Sequence, residues 1–252
     1  MRWLLSMLFL LAPLTAARAE QVVLGLSHSN VQITTSFKGS DILVFGAVKR
    51  EEPIPQGAPL QVVVTVEGPS ERLTVYRKDR VAGVWVNTDA VEVDSAPSFY
   101  AVSTSGPLEE VISATEDLRH HISVPQAIRS VGATVQDPRA FTEALIRIRR
   151  EKGLYSRNEG GVLIEEATLF STSIRLPASL TEGTYKTRIF LTRDRQVLSR
   201  IEGTIEVSKV GLERWLFNLS TMQPLWYGLM SLAIAVVAGW GASTVTRLLK
   251  NG

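Results

Sequence analysis

From Leu225 to Thr246 the chain runs for 22 residues without a charged side chain, LWYGLMSLAIAVVAGWGASTVT. At 1.5 Å per residue this is about 33 Å of helix, enough for a hydrocarbon layer of about 30 Å. Trp226 and Tyr227 stand at its start, where an aromatic belt belongs, and Arg247 and Lys250 follow it. The pattern predicts a membrane span over 224–248 with a short tail at 249–252. The alternative for such a run is a helix buried in a soluble core.

The first 19 residues fit a secretory signal: Arg2, an apolar run from Trp3 to Leu14, then Ala17-Arg18-Ala19. That run is short for a span, although an uncleaved anchor is the competing reading. With the body exported, the basic residues after the C-terminal span fall inside, as the positive-inside rule prefers. The expectation is a single-pass protein of a bacterial inner membrane, with its bulk in the periplasm, its C-terminus in the cytoplasm and the lipid bilayer as its first partner.

This organisation changes the meaning of the charge. The pI near 9.0 suggests a basic protein. Leaving out Arg2, Arg18, Arg247 and Lys250 reduces 27 basic residues to 23, against 25 acidic. No basic excess remains to neutralise phosphates, so no nucleic acid is expected. The absence of cysteine rules out a disulfide framework, thiolate-ligated metals and a thiol nucleophile.

Between the ends the pattern is mainly β. Runs at 21–26, 31–37, 42–48, 60–66, 73–77 and 81–86 are rich in Val, Ile, Thr and aromatics. Gly39-Ser40, Pro53 to Pro59, Gly68-Pro69 and Asp79 are expected as turns between them. Gln61 to Val66 is nearly continuous and should be a buried central strand. Further strands are expected at 162–169, 173–176, 185–193 and 196–207, the last two as a hairpin around Arg193-Asp194-Arg195. Strands spaced this way without helices suggest an antiparallel sandwich.

Residues 107–155 are the helical exception. A short helix is expected over 108–118. A longer one is expected over 137–152, where Asp137-Pro138 supplies an N-cap with proline at the first helical position and Gly153 a stop. Phe141, Leu145 and Ile148 should share its buried face. The expected fold is therefore mainly β, with two immunoglobulin-like β-sandwich units. The first is at 20–106, and the second at 107–208 carries the helical insertion. A juxtamembrane interfacial segment at 209–223 leads to the span.

Several blocks of the body also carry a resemblance. They are Ser36-Phe37-Lys38-Gly39-Ser40-Asp41-Ile42-Leu43-Val44-Phe45-Gly46-Ala47, Val75 to Lys78 with Gly83 to Asn87, and Pro97 to Val102. Leu176-Pro177-Ala178 with Glu182 to Tyr185, and Lys209 to Arg214, complete the set. Together with the C-terminal span, they resemble the putative transmembrane protein family of alphaproteobacteria. The resemblance implies an exported domain on one C-terminal helix, and a neighbouring permease similar to sulfite exporters as partner. It brings no catalytic residues and no cofactor.

The residues themselves offer little chemistry. No nucleophile elbow, zincin, phosphate-loop or dinucleotide motif occurs. His28, His120 and His121 are too few and too scattered for a metal site, and none is expected. Ser36 with Lys38 does not make a dyad, and strand alternation separates Glu165 from Glu166. Arg72, Arg77, Lys78 and Arg80 form the densest basic group and are an anion-binding candidate, with a solvated hairpin tip as the plainer reading. Trp85 is expected in the core. In the span, Ser231, Ala235, Gly239 and Ser243 recur every four residues, a small-residue row that lets another helix approach.

The functional expectation is a non-enzymatic accessory or interaction protein for a membrane partner, through a permease or self-association. A periplasmic envelope scaffold merely tethered by its helix is the second reading, and an enzyme of unrecognised type the third.

Overall fold

The computed structural model describes residues 21–33, 37–49, 57–130, 137–209, 216 and 219–250. The expected signal at 1–19, Ser36, most of the 209–223 segment and the last two residues lie outside the described residues.

The chain is mainly β. It opens with β1 (Gln21–Leu26), β2 (Asn30–Ile33), β3 (Ser40–Lys49), β4 (Gln61–Glu67), β5 (Ser70–Val81), β6 (Val84–Pro97) and β7 (Tyr100–Thr104). Helices α1 (Leu108–Val111), α2 (Ala114–His120) and α3 (Val124–Ala127) follow, then β8 (Arg129–Ser130), α4 (Pro138–Glu151) and β9 (Tyr155–Glu159). The body closes with β10 (Leu163–Glu165), β11 (Leu169–Leu176), β12 (Gly183–Arg193) and β13 (Gln196–Lys209), and α5 (Pro224–Lys250) ends the chain.

These strands form three sheets. One has the order β1-β3-β11-β10, the second β2-β13-β12-β4-β7-β9, and the third is the β5–β6 hairpin with β8 at its base. The expected division into two units near residue 106 is corrected by this pairing. Strand β3 pairs with β11, β4 with β12, and β2 with β13, so both halves of the chain contribute to the same two sheets. A helical insertion between β7 and β9 separates in sequence what pairing joins in space.

Alternation places the core. In β3, Ile42, Val44 and Val48 point inward while Leu43 and Phe45 point out. The inward residues meet Val62, Val64, Ile189, Leu191 and Ile205 of the second sheet in one apolar cluster. Ser103 of β7 and Thr172 of β11 share a 2.8 Å hydroxyl hydrogen bond across the two layers. The other face of the second sheet is also covered. There Val63, Val102 and Phe190 pack with Val111, Leu145 and Val93 from the helices and the hairpin. Strand β4 is buried on both faces because it lies between two cores, which is why its five central residues are apolar but for Thr65.

The helices follow their local signals with two corrections. Asp137 caps α4 by accepting from the Ala140 amide at 3.3 Å. At its other end Gly153 takes φ +69°. Its amide donates to the Arg150 carbonyl at 2.9 Å, and the Leu154 amide donates to Arg149 at 2.9 Å, the paired bonds of a Schellman stop. Phe141, Leu145 and Ile146 are buried, whereas Ile148 is 42% exposed. The expected helix over 108–118 is two helices: Ile112 is extended, and Ser113 caps α2 by accepting from the Glu116 amide at 3.3 Å. The Ser-x-x-Glu spacing is the local restart signal.

A further correction concerns 73–86. Strand β5 runs unbroken through Asp79, and the reversal falls at Ala82 (φ +50°) and Gly83 (φ +86°). Positive φ at both central residues is the turn that matches strand twist in a two-residue hairpin. Trp85 lies beside this turn and is 66% exposed, not in the core.

Candidate interaction surfaces

The four basic residues nominated by sequence all lie on β5, and the fold does not gather them. Arg77 sits 3.6 Å from Asp89 across the hairpin, and its guanidinium lies over the Phe141 ring at 4.8 Å. Arg80 turns the other way, as an odd separation along a strand requires, and its Nε donates to the Gly83 carbonyl at 3.3 Å. Lys78 lies opposite Asn87, next to an irregularity in the register, and Arg72 is near the root. Asp79 accepts from the Thr88 hydroxyl at 2.9 Å.

Beyond Arg77 the hairpin is a two-stranded ribbon, exposed on both faces. Val81, Val84, Trp85 and Val86 are all exposed there. β8 reaches only Val93 and Ser95, near the root.

A second exposed apolar surface lies on the outer face of the first sheet. Val23 and Leu43 on β1 and β3, Phe45 on β3, Leu163 on β10 and Leu169 on β11 are all exposed. The register places Phe45 opposite Gly25 on one side and Ser171 on the other. The Phe45 ring covers Gly25 so closely that a Cβ there would collide with it. This surface joins four strands, is bordered by Asp41, Lys49, Glu165 and Arg175, and continues into a shallow pocket of about 190 Å³ beside Phe45, Leu163, Glu165 and Leu169.

Sequence reasoning missed the best-built polar group, which lies inside the body. Arg188 of β12, 8% exposed, donates to the His120 carbonyl at 2.9 Å, the His121 carbonyl at 3.1 Å and the Tyr100 hydroxyl at 2.9 Å. Tyr100 in turn donates towards the carbonyls of His121 (3.0 Å) and Ile122 (2.9 Å). The Glu67 carboxylate stands 3.5 Å from the guanidinium. The group closes the C-terminal end of α2, where His121 is left-handed and the carbonyls lack helical partners. Burial pushes the Tyr100 hydroxyl far above its ordinary pKa, against the smaller lowering effect of Arg188. The only sequence signal was an arginine at an otherwise inward-reading strand position.

His120 packs against Phe190 at 5.5 Å and lies 3.5 Å from Glu116, so it belongs to the same packed region. Desolvation lowers its pKa in spite of the Glu116 charge. Glu116 also accepts from the Val197 amide at 3.3 Å, which pins α2 to the start of β13. Among the described residues no three His, Asp or Glu side chains converge on a metal-sized space. A cleft of about 360 Å³ lies beside Ser103, Ser156, Asn158, Ser173 and Arg175. It can donate and accept hydrogen bonds, but it holds no acid–base pair.

Helix α5 contains the one segment among the described residues that is long and apolar enough to cross a membrane, Pro224–Gly241, with mean hydropathy 1.4 and none of it buried against the body. Ser231 turns its hydroxyl back to the Tyr227 carbonyl at 2.6 Å, which hides its polarity within the helix. Ala235 and Gly239 are exposed along the same row, and a Cβ at Gly239 would meet nothing. Ser243 continues the row along the backbone.

Comparison with curated proteins gives no match. The family described as Putative transmembrane protein (Alph_Pro_TM) matches over residues 21–248, which takes in the strands, the helical insertion and nearly all of α5. With a β-rich body, one apolar C-terminal helix and this match over most of its length, the chain belongs to that transmembrane family.

Proposed function

We propose that this chain is a membrane-anchored accessory protein that binds a membrane partner through its body and carries out no reaction of its own. The observation that carries this reading is the outer face of the first sheet. Val23, Leu43, Phe45, Leu163 and Leu169 form an exposed apolar surface across four strands, rimmed by Asp41, Lys49, Glu165 and Arg175, and apolar patches with a polar rim mark interaction sites. The cleft beside Ser103, by contrast, offers nothing for acid–base or nucleophilic work.

The strand order gives this reading a fold. We take β1-β3-β11-β10 as strands A-B-E-D and β2-β13-β12-β4-β7 as A′-G-F-C-C′ of a single immunoglobulin-like unit of variable type. The parallel pairing of β2 with β13, beside an antiparallel β1–β3 pair, supports the split first strand. On this assignment the β5–β6 hairpin is an insertion between C and C′. The fold alone does not decide function.

The body is taken as periplasmic and the C-terminus as cytoplasmic, on the strength of Arg247 and Lys250 after the span. A fluorescent protein fused to the C-terminus, which folds only in the cytoplasm, tests this directly. A permease similar to sulfite exporters is the first partner to look for, with self-association second.

The test of function is a mild-detergent pull-down of the full-length chain beside two variants. One carries a foreign span, and the other is Leu163→Glu with Leu169→Glu on the exposed face. An accessory protein loses its membrane partner with the glutamates. Loss with the foreign span as well makes the Ser231–Ser243 row a contact, and Gly239→Ile should then have the same effect. Recovery of the partner by all three proteins refutes the sheet surface as the binding face. Recovery of envelope material that depends on the body but not on the native span favours the tethered scaffold.

A further inference from the structure

The β5–β6 hairpin is unusual in what it exposes. A two-stranded ribbon is marginal in water by itself, and its tip would ordinarily be polar. Here the reversal is Val81-Ala82-Gly83-Val84-Trp85-Val86, without a charge, and Val81, Val84 and Trp85 are each more than half exposed. Behind the tip stand Arg77, Lys78 and Arg80, against Asp79 and Asp89. Both acids are engaged: Asp89 faces Arg77, and Asp79 accepts from Thr88. Arg77 and Asp89 offset one another, and Lys78 and Arg80 against Asp79 leave the outer ribbon with a net charge of +1. An apolar, tryptophan-bearing tip backed by cations is the composition of a membrane-interface contact, with Trp at headgroup depth and Lys or Arg beside anionic lipid.

The shape points the same way. A specific protein interface takes about 800 Å² from each partner, which a narrow ribbon tip does not offer as a flat face. The topology also places the hairpin root at the end of the body that leads to the helix. Lys186 pairs with both Glu67 and Thr204, and Gly183 pairs with Val207, so β4 ends where β13 leaves the sheet. Pro69, at the root, packs against Gly183 there. From the root, the twelve residues of β5 extend about 40 Å. Only residues 210–223 separate β13 from α5, and 219–222 among them are helical, so the hairpin root lies at the end of the body joined by a short segment to the membrane helix.

We propose that the β5–β6 hairpin tip docks on an anionic bilayer surface, with Trp85 and Val84 at the interface and Lys78 and Arg80 facing lipid headgroups. This rests on α5 spanning that bilayer, and it is independent of any protein partner.

The chain has no cysteine, so Val84→Cys with an environment-sensitive fluorophore reports on the tip alone. The full-length protein is placed at one copy per nanodisc, in phosphatidylcholine with or without phosphatidylglycerol. Elution with the disc establishes separately that α5 has inserted. The expected result is blue-shifted emission, quenched by brominated lipid, in discs containing phosphatidylglycerol. Lys78→Gln and Arg80→Gln should each lower the ratio of docked to free tip by about fivefold, the effect of one cation near an anionic surface. Trp85→Ser in the labelled protein should lower it further, with far-UV circular dichroism unchanged. Water-like emission in both lipid compositions overturns the proposal. A blue shift that appears only when a second copy or another protein is added overturns it equally.

Discussion

Replacing Arg188 with methionine keeps most of the side-chain volume and removes the guanidinium that joins β12, β7 and α2. Four groups lose a partner at once: the carbonyls of His120 and His121, the Tyr100 hydroxyl and the Glu67 carboxylate. Hydrogen bonds to a charged group are worth about 1.5–3 kcal/mol each but do not add, and removing one partner of a buried pair costs about 3–5 kcal/mol. The Glu67 side chain keeps 24% exposure, so water recovers part of its loss. The expected destabilisation is then at the lower end, about 3–4 kcal/mol. At about 2–4 °C per kcal/mol for a body of this size, Tm should fall by roughly 6–16 °C. The assay is thermal unfolding of the full-length protein in mild detergent, followed by far-UV circular dichroism. Arg188→Met with Glu67→Gln should recover part of the loss, because the stranded carboxylate is gone. A single variant melting within about 2 °C of the parent would refute the idea that this group holds α2 onto the sheet, since even one lost charge-assisted bond should exceed that.

Other outcomes follow from the same geometry. Acidification should destabilise the body as pH falls below the ordinary histidine value of about 6.5, because desolvation lowers the His120 pKa and the unfolded chain takes up the proton first; His120→Gln should flatten that part of the stability profile. At the alkaline end, stability should fall from about pH 10 upward, because burial pushes Tyr155 up to about 12 and the unfolded chain loses its proton first; Tyr155→Phe should reduce this slope in denaturant titrations. Gly153→Ala meets no atom within contact distance, so its cost is that of a left-handed conformation alone, about 1–2 kcal/mol by chemical denaturation.

What the sequence revealed and what it concealed divide along the range of the forces involved. β4 was legible because a strand covered on both faces reads as a nearly continuous apolar run, broken only by Thr65. α4 was legible because Asp137-Pro138 and Gly153 act within a few residues of themselves. The break at Ile112 was written in Ser113 and Glu116 but sits inside a stretch whose composition suits a single helix. Ile146 replaced Ile148 on the buried face of α4, a shift small enough to be set by what the helix packs on. The joining of two halves into shared sheets was hidden, because nothing local to β3 names β11 as its neighbour, and the intervening helices suggested a boundary. Trp85 was misjudged because apolarity was equated with burial, a rule that fails on a ribbon extending past its sheet. The Arg188 group was invisible for a related reason: its partners are main-chain carbonyls, which every residue carries.

The pairing of early strands with late ones has a consequence for how the protein comes into being. A chain made from its N-terminus produces β4 more than a hundred residues before β12, and β2 finds β13 only after the whole body is complete. Until then five consecutive buried positions, Val62 to Val66, have nothing to lie against on the β12 side. Long-range closures of this kind are slow and leave aggregation-prone edges waiting. The last strand to arrive ends only a short segment before α5. Maturation of the body and delivery of its anchor to the bilayer are thereby nearly simultaneous, so a nascent chain stalled before β13 would present an open sheet edge to whatever chaperone meets it.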